Sequence, residues 1–96
     1  MAAYVLVNIE VTDPDGFKQY QARFPQLMAQ YGGKYIVRGG QVDRVEGSWL
    51  PHRMIVMEFP SMDHVRRMLA SPEYKDVQAL RTRSTNSDLL VMEGVT

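Results

Sequence analysis

Residues Ala3 to Val11 alternate, with Val5, Val7, Ile9 and Val11 on one side and Tyr4, Leu6, Asn8 and Glu10 on the other. A period of two, rich in β-branched residues, predicts a strand with one dry face. The period then changes. Phe17, Tyr20, Phe24, Leu27, Met28 and Tyr31 recur every three or four residues, which predicts an amphipathic helix. Asp13-Pro14 opens it, with Asp13 as the side-chain cap and Pro14 at the first helical position. Pro25 removes one helical hydrogen bond and predicts a kink near Gln21 to Pro25. Gly32-Gly33 supplies the left-handed stop.

Lys34 to Arg38 is predicted as a second strand, interrupted at Gly39-Gly40 by a bulge or bend and resumed over Gln41 to Val45. Glu46 to Arg53 reads as a loop. Met54 to Phe59 is a third strand, ended by Pro60. Ser61 caps a short helix that carries Val65, Met68 and Leu69, and Ser71-Pro72 starts another with Tyr74, Val77 and Leu80. Ser87 to Val95 is the last strand. The order βαββαβ predicts an α+β, ferredoxin-like sandwich: a four-stranded antiparallel sheet with its helices on one face.

Helices on one face leave the other uncovered. The wholly apolar sets Val5/Val7/Ile9/Val11, Ile55/Met57/Phe59 and Leu90/Met92 are assigned to the helix side. The mixed sets Tyr4/Leu6/Asn8/Glu10, Met54/Val56/Glu58 and Leu89/Val91/Glu93, with Ile36 and Arg38, are assigned to the open side. An apolar face of this kind marks a partner surface. Its simplest closure is a homodimer with sheets face to face, a dimeric α/β barrel enclosing a cavity lined by the isolated polar residues.

Composition narrows the partners. The 96 residues suit a single domain, 1–96. Eleven Lys+Arg balance eleven Asp+Glu, which argues against nucleic-acid binding and against a polybasic membrane module. The hydrophobic share of 45% is too high for disorder. With no cysteine there is no disulfide, zinc knuckle or thiol nucleophile. No stretch approaches the ~18 apolar residues of a membrane helix. Met1 to Val11 reads as a strand rather than a signal peptide, so the expected location is cytoplasmic.

Several ordered pieces carry a family resemblance: Asp13-Pro14, Gly32-Gly33-Lys34-Tyr35, Arg38-Gly39-Gly40, Glu46-Gly47-Ser48-Trp49, Glu58-Phe59-Pro60, Ser71-Pro72-Glu73-Tyr74, and Arg81 followed by Ser84. Together they resemble the domain of unknown function 1330 family of the dimeric α/β-barrel superfamily, over nearly the whole chain. The resemblance implies a ferredoxin-like subunit and a face-to-face homodimer, and no established reaction. Wider relatives include heme-degrading monooxygenases, which use an Asn in the first strand and a later Trp and His. Asn8 stands at the first place, but Met68 and Gln78 stand at the others. An axial imidazole is missing, so heme degradation is disfavoured.

The candidate ligand-binding residues are Asn8, Arg38, Trp49, Glu58, Tyr74 and Arg81, and the candidate catalytic residues are Arg38, Glu58 and His52. In the enzymatic reading Arg38 holds an oxyanion, Glu58 orients Arg38 or moves a proton, Asn8 donates a hydrogen bond, and His52 acts as acid or base. Each also has a plainer reading. Arg38 and Glu58 suit a structural cross-strand pair. His52 in its loop shows no sequence-adjacent partner, and His64 suits a solvated helix start. Trp49 suits interface packing, Tyr74 suits the core, and Arg81 suits pairing with an acid. Gly39-Gly40 lacks the context of a phosphate loop. Two separated histidines make a metal site improbable, and no cofactor is expected. Two functional classes follow: a cofactor-independent enzyme or binder of a small, largely apolar molecule with one polar or anionic group, or a non-catalytic dimerisation and ligand-binding module. A heme- or metal-binding oxygenase is a distant third.

Overall fold

The alternation over Ala3–Val11 becomes the central strand β1 of a four-stranded antiparallel sheet. The computed structural model describes residues 1–95. Along the chain follow α1 (Pro14–Gln30), β2 (Lys34–Arg38), β3 (Arg53–Phe59), α2 (Met62–Ala70), α3 (Pro72–Ser84) and β4 (Thr85–Glu93). The spatial order is β2-β3-β1-β4, so β1 sits between β3 and β4 and both helical connections cross over the same face. This is the ferredoxin-like α+β fold.

Local chemistry sets the ends of the elements. Ser61 Oγ accepts from the His64 backbone N–H, and Ser71 Oγ accepts from that of Tyr74, so α2 and α3 each begin on a serine cap. Asp13 is the N-cap residue of α1 but makes no side-chain cap hydrogen bond. The chain entering α1 is held instead by its backbone, since the N–H groups of Thr12 and Asp13 both donate to the Ser84 carbonyl. The helix continues through Pro25 to Gln30. Gly32, at φ +79°, turns the chain out of it.

The core lies between the sheet and the helices. Val5, Val7, Ile9, Ile55, Met57 and Phe59 face Phe17, Tyr20, Phe24, Leu27 and Met28 of α1, Val65 and Met68 of α2, and Tyr74, Val77 and Leu80 of α3. Val11, at the end of β1, escapes burial.

Three expectations are corrected. On β4 the faces are reversed: Val5 pairs with Val91 and Val7 with Leu89, so Leu89 and Val91 pack on the core. Leu90 and Met92 occupy the open face, and Glu93, opposite Ala3, leaves it. Leu89 to Met92 are apolar at all four positions and the one polar residue of the sets, Glu93, stands at the strand's end, so only the register with β1 decides. On β2 the irregularity falls at Ile36 rather than at Gly39-Gly40. Tyr35 pairs with Met57 but Val37 with Val56, and the extra residue inverts the faces beyond it. Arg38, opposite Ile55, therefore lies on the helix side of the sheet, not on the open side. Finally, Gln41 to Val45 forms no strand. Gly39, at φ +68°, leads out of β2 into an irregular connection running to His52.

One close approach gives a direct test. A Cβ added at Gly33 would lie 2.5 Å from Phe59 Cε1 and 2.6 Å from Met28 Cγ. Both side chains are buried, so neither can withdraw. Gly33→Ala is expected to lower the unfolding free energy by about 1–3 kcal/mol, the usual cost of overpacking, read as a lower urea midpoint at unchanged slope.

Candidate active site

Cross-strand pairing organises the open face into rows. Tyr4 lies between Glu58 and Met92, Leu6 between Val56 and Leu90, and Asn8 between Met54 and Asp88; Glu10 faces Asn86. The face thus passes from mixed, through apolar, to polar along β1. At the polar end a cleft of about 470 Å³ is lined by Asn8, Glu10, His52, Thr82, Thr85, Asn86, Ser87 and Asp88. Every side chain lining this cleft is polar. The apolar surface lies beside it, in the row of Leu6, Val56 and Leu90.

Long-range contacts build the cleft. Asn8, nearly buried, accepts through Oδ1 from the His52 backbone N–H at 2.9 Å, which fastens the end of the 39–52 connection to the centre of the sheet. His52 Nε2 then lies 3.6 Å from Glu10 Oε2. The other Glu10 oxygen accepts from Asn86 Nδ2 at 3.1 Å. A carboxylate fixed on one oxygen thus faces a half-exposed imidazole with the other, at ion-pair distance. His52 therefore has an acidic partner that its own segment of sequence does not reveal. Glu10, 42 positions away by the numbering, was absent from the candidates; its place on the mixed face of β1 was the one available signal. Thr85 Oγ1 donates to the Arg81 carbonyl at 2.6 Å and so ties the cleft floor to the end of α3.

The other candidates are dispersed. Glu58 does not meet Arg38. It pairs with Lys34 at 3.4 Å, directly across from it on β2, because the bulge removes Arg38 from that face. Hydrogen bonding to Glu58, and its charge, raise the Tyr4 phenol above its usual pKa. Arg38 stands over the Tyr35 ring, 4.5 Å from its centroid. Trp49 is 62% exposed in the 39–52 connection and lines no part of the cleft. His64 lies at the start of α2, its Nδ1 2.6 Å from Ser61 Oγ.

Tyr74 and Arg81 come together, but beneath the helices. Arg81 Nη1 donates to Tyr74 Oη at 3.0 Å, and both residues are buried. Among the described residues no acid pairs with Arg81. Burial would lower its pKa, but Tyr74 and Tyr20 together hold it raised. Burial also pushes the Tyr20 phenol far above the usual tyrosine range, outweighing the nearby Arg81 charge, and raises that of Tyr35. Both hydroxyls therefore stay protonated near neutrality.

Among the described residues, no three His, Cys, Asp or Glu side chains gather closely enough to hold a metal ion. Among the described residues no helix is long and apolar enough to cross a membrane.

Comparison with solved structures bears out the architecture. A protein of unknown function from Rhodopseudomonas palustris matches with a TM-score of 0.79 at 17% identity, over 99% of this chain and 83% of that one. A cofactor-independent oxygenase from Streptomyces nogalater, SnoaB, matches with a TM-score of 0.67 at 16% identity, over 99% and 94%. A dimeric ferredoxin-like protein of unknown function from Thermobifida fusca matches with a TM-score of 0.63 at 13% identity, over 98% and 92%. At these identities the likeness is one of fold. The comparison with curated proteins found no match. A family model spans residues 2–95, nearly the whole fold just described, and the chain belongs to that family, the domain of unknown function 1330 (DUF1330).

Proposed function

We propose that the working unit is a cytoplasmic homodimer closed over the open sheet faces, and that the cleft at the polar end receives the polar group of a small molecule. The body of that molecule lies against the apolar row of Leu6, Val56 and Leu90. The observation that carries this reading is the His52–Glu10 pair, set at 3.6 Å on the wall of a cleft that opens beside an uncovered apolar face. His52 is the acid–base group and Glu10 orients it. Asn8 uses its carbonyl on the His52 backbone, which leaves its NH₂ as a donor to the ligand. Proton transfer of this kind requires no bound cofactor. A cofactor-independent oxygenase and a dimeric protein of unknown function among the similar folds support the reading without assigning a substrate.

A homodimer follows from the cost of leaving the face wet. Leu90 is 57% exposed and Met92 44% in one chain. Burying such side chains fully contributes roughly 1.5–3 kcal/mol each. A second reading, a non-catalytic dimerisation module, is favoured by Glu58: its partners are Lys34 and Tyr4, so this polar group of the open face serves the sheet itself.

Light scattering at micromolar concentration is expected to give the mass of two chains, and Leu90→Lys that of one; a wild-type monomer would remove the closed face from the reading. Native mass spectrometry of freshly purified protein is expected to show a retained small molecule that His52→Ala and Glu10→Gln release while the dimer persists. A dimer that retains nothing in any variant supports the non-catalytic module. Asn8→Ala is expected to cost about 0.5–1.5 kcal/mol of stability for one lost hydrogen bond, and to speed amide exchange at His52 ahead of the rest of the sheet.

A further inference from the structure

We propose that the polar group received by the cleft is a cation, and that the ligand is a primary amine on an apolar body. This rests on the reading of the cleft as the ligand site and names the ligand's chemical class.

Charge in the cleft is one-sided. Its lining of about 470 Å³ includes the carboxylates of Glu10 and Asp88 and no lysine or arginine. Glu10 is shared between Asn86 and His52. Asp88 stands opposite Asn8 and diagonal to Glu10 on the same face of the sheet, a spacing of about 7–8 Å in paired strands. The ion pairs among the described residues are Lys34–Glu58, His52–Glu10 and Arg67–Asp63, so Asp88 has no cation of its own. An anionic ligand would meet two like charges here, and a cation would meet two opposite ones.

The hydrogen-bonding groups agree with the charge. Thr82 Oγ1 donates to the Ala79 carbonyl at 3.4 Å, and Thr85 Oγ1 to that of Arg81 at 2.6 Å. A hydroxyl carries one proton, so both are spent on α3 and lone pairs are left to accept. Asn8 is different. It lines the cleft at 8% exposure, its Oδ1 is held by the His52 backbone, and its NH₂ is unspent. A buried donor without a partner marks a wall that a ligand completes. This neutral amide does not offset two carboxylates, and it can meet a hydroxyl or ether oxygen on the same amine.

The cation is organic rather than a metal. Metal ligands converge on one point, whereas among the described residues no three His, Cys, Asp or Glu side chains gather closely enough to do so. A primary ammonium presents three N–H donors to acceptors spread around it, and its hydrocarbon body has the adjoining row of Leu6, Val56 and Leu90 to lie against.

The test is calorimetric titration at fixed ionic strength with phenethylamine, phenethyl alcohol and hydrocinnamate, which share an apolar body and carry a cationic, a neutral and an anionic group. Phenethylamine is expected to saturate at one molecule per chain and to bind about five-fold more tightly than the alcohol, the effect of an exposed ion pair. Hydrocinnamate is expected not to saturate. Asp88→Asn, an isosteric change at an exposed position, is expected to weaken the amine by about three-fold and leave the alcohol unchanged. The inference is overturned if the alcohol or hydrocinnamate binds as tightly as the amine, if none of the three saturates, or if Asp88→Asn weakens amine and alcohol alike. Tight alcohol binding that His52→Ala weakens would remove the cation and keep the cleft as the ligand site. Saturable binding of the amine that neither His52→Ala nor Asp88→Asn alters would lie outside the cleft and remove both.

Discussion

The antiparallel register of β1 with its two neighbours is the constraint on which the rest depends. Pairing Val5 with Met57 and Val91, and Val7 with Ile55 and Leu89, puts one apolar row after another against the helices. A slip of one residue would exchange these rows for Tyr4, Leu6, Asn8 and Glu10, and bury a carboxylate and an amide without partners. The same register therefore sets the dry core and, as its complement, the composition of the open face. The cleft is a product of it, because Asn8 and Glu10 belong to successive rows of that face and hold His52 and Asn86 through side-chain contacts.

The two faces of the sheet divide the polar chemistry between them. On the open face two carboxylates find partners: Glu58 meets Lys34, and Glu10 meets His52 and Asn86. On the helix side Arg81 is sequestered beside Tyr74 and Tyr20.

Much of the architecture was legible because local signals agreed. The proline-led helix starts, the two serine caps, Gly32 after α1 and the strong alternation of β1 and β3 each pointed to the element that forms. The failures fall where local signals were ambiguous. Over Leu89 to Met92 β4 is apolar on both faces, so periodicity could not orient it. At Ile36 the bulge has no glycine to announce it, and the glycines at 39 and 40 follow the strand instead. For the site, Asn8 and His52 were nameable from their chemistry, while Glu10 as the partner of His52 was not, because that pairing joins two distant segments across the sheet.

Hydrophobic periodicity and capping chemistry are properties of neighbouring residues, so the sequence by itself determined the element order, the ferredoxin-like class and the existence of an uncovered apolar face. Register, bulge position and long-range pairing depend on how separate segments meet, so only the tertiary structure decided which polar groups stand together. It moved Arg38 to the helix side, gave Glu58 to Lys34, brought His52 to Glu10, and enclosed Arg81 among tyrosines. The physical reason is the period of two: one inserted residue or one choice of partner strand turns every following side chain to the other face.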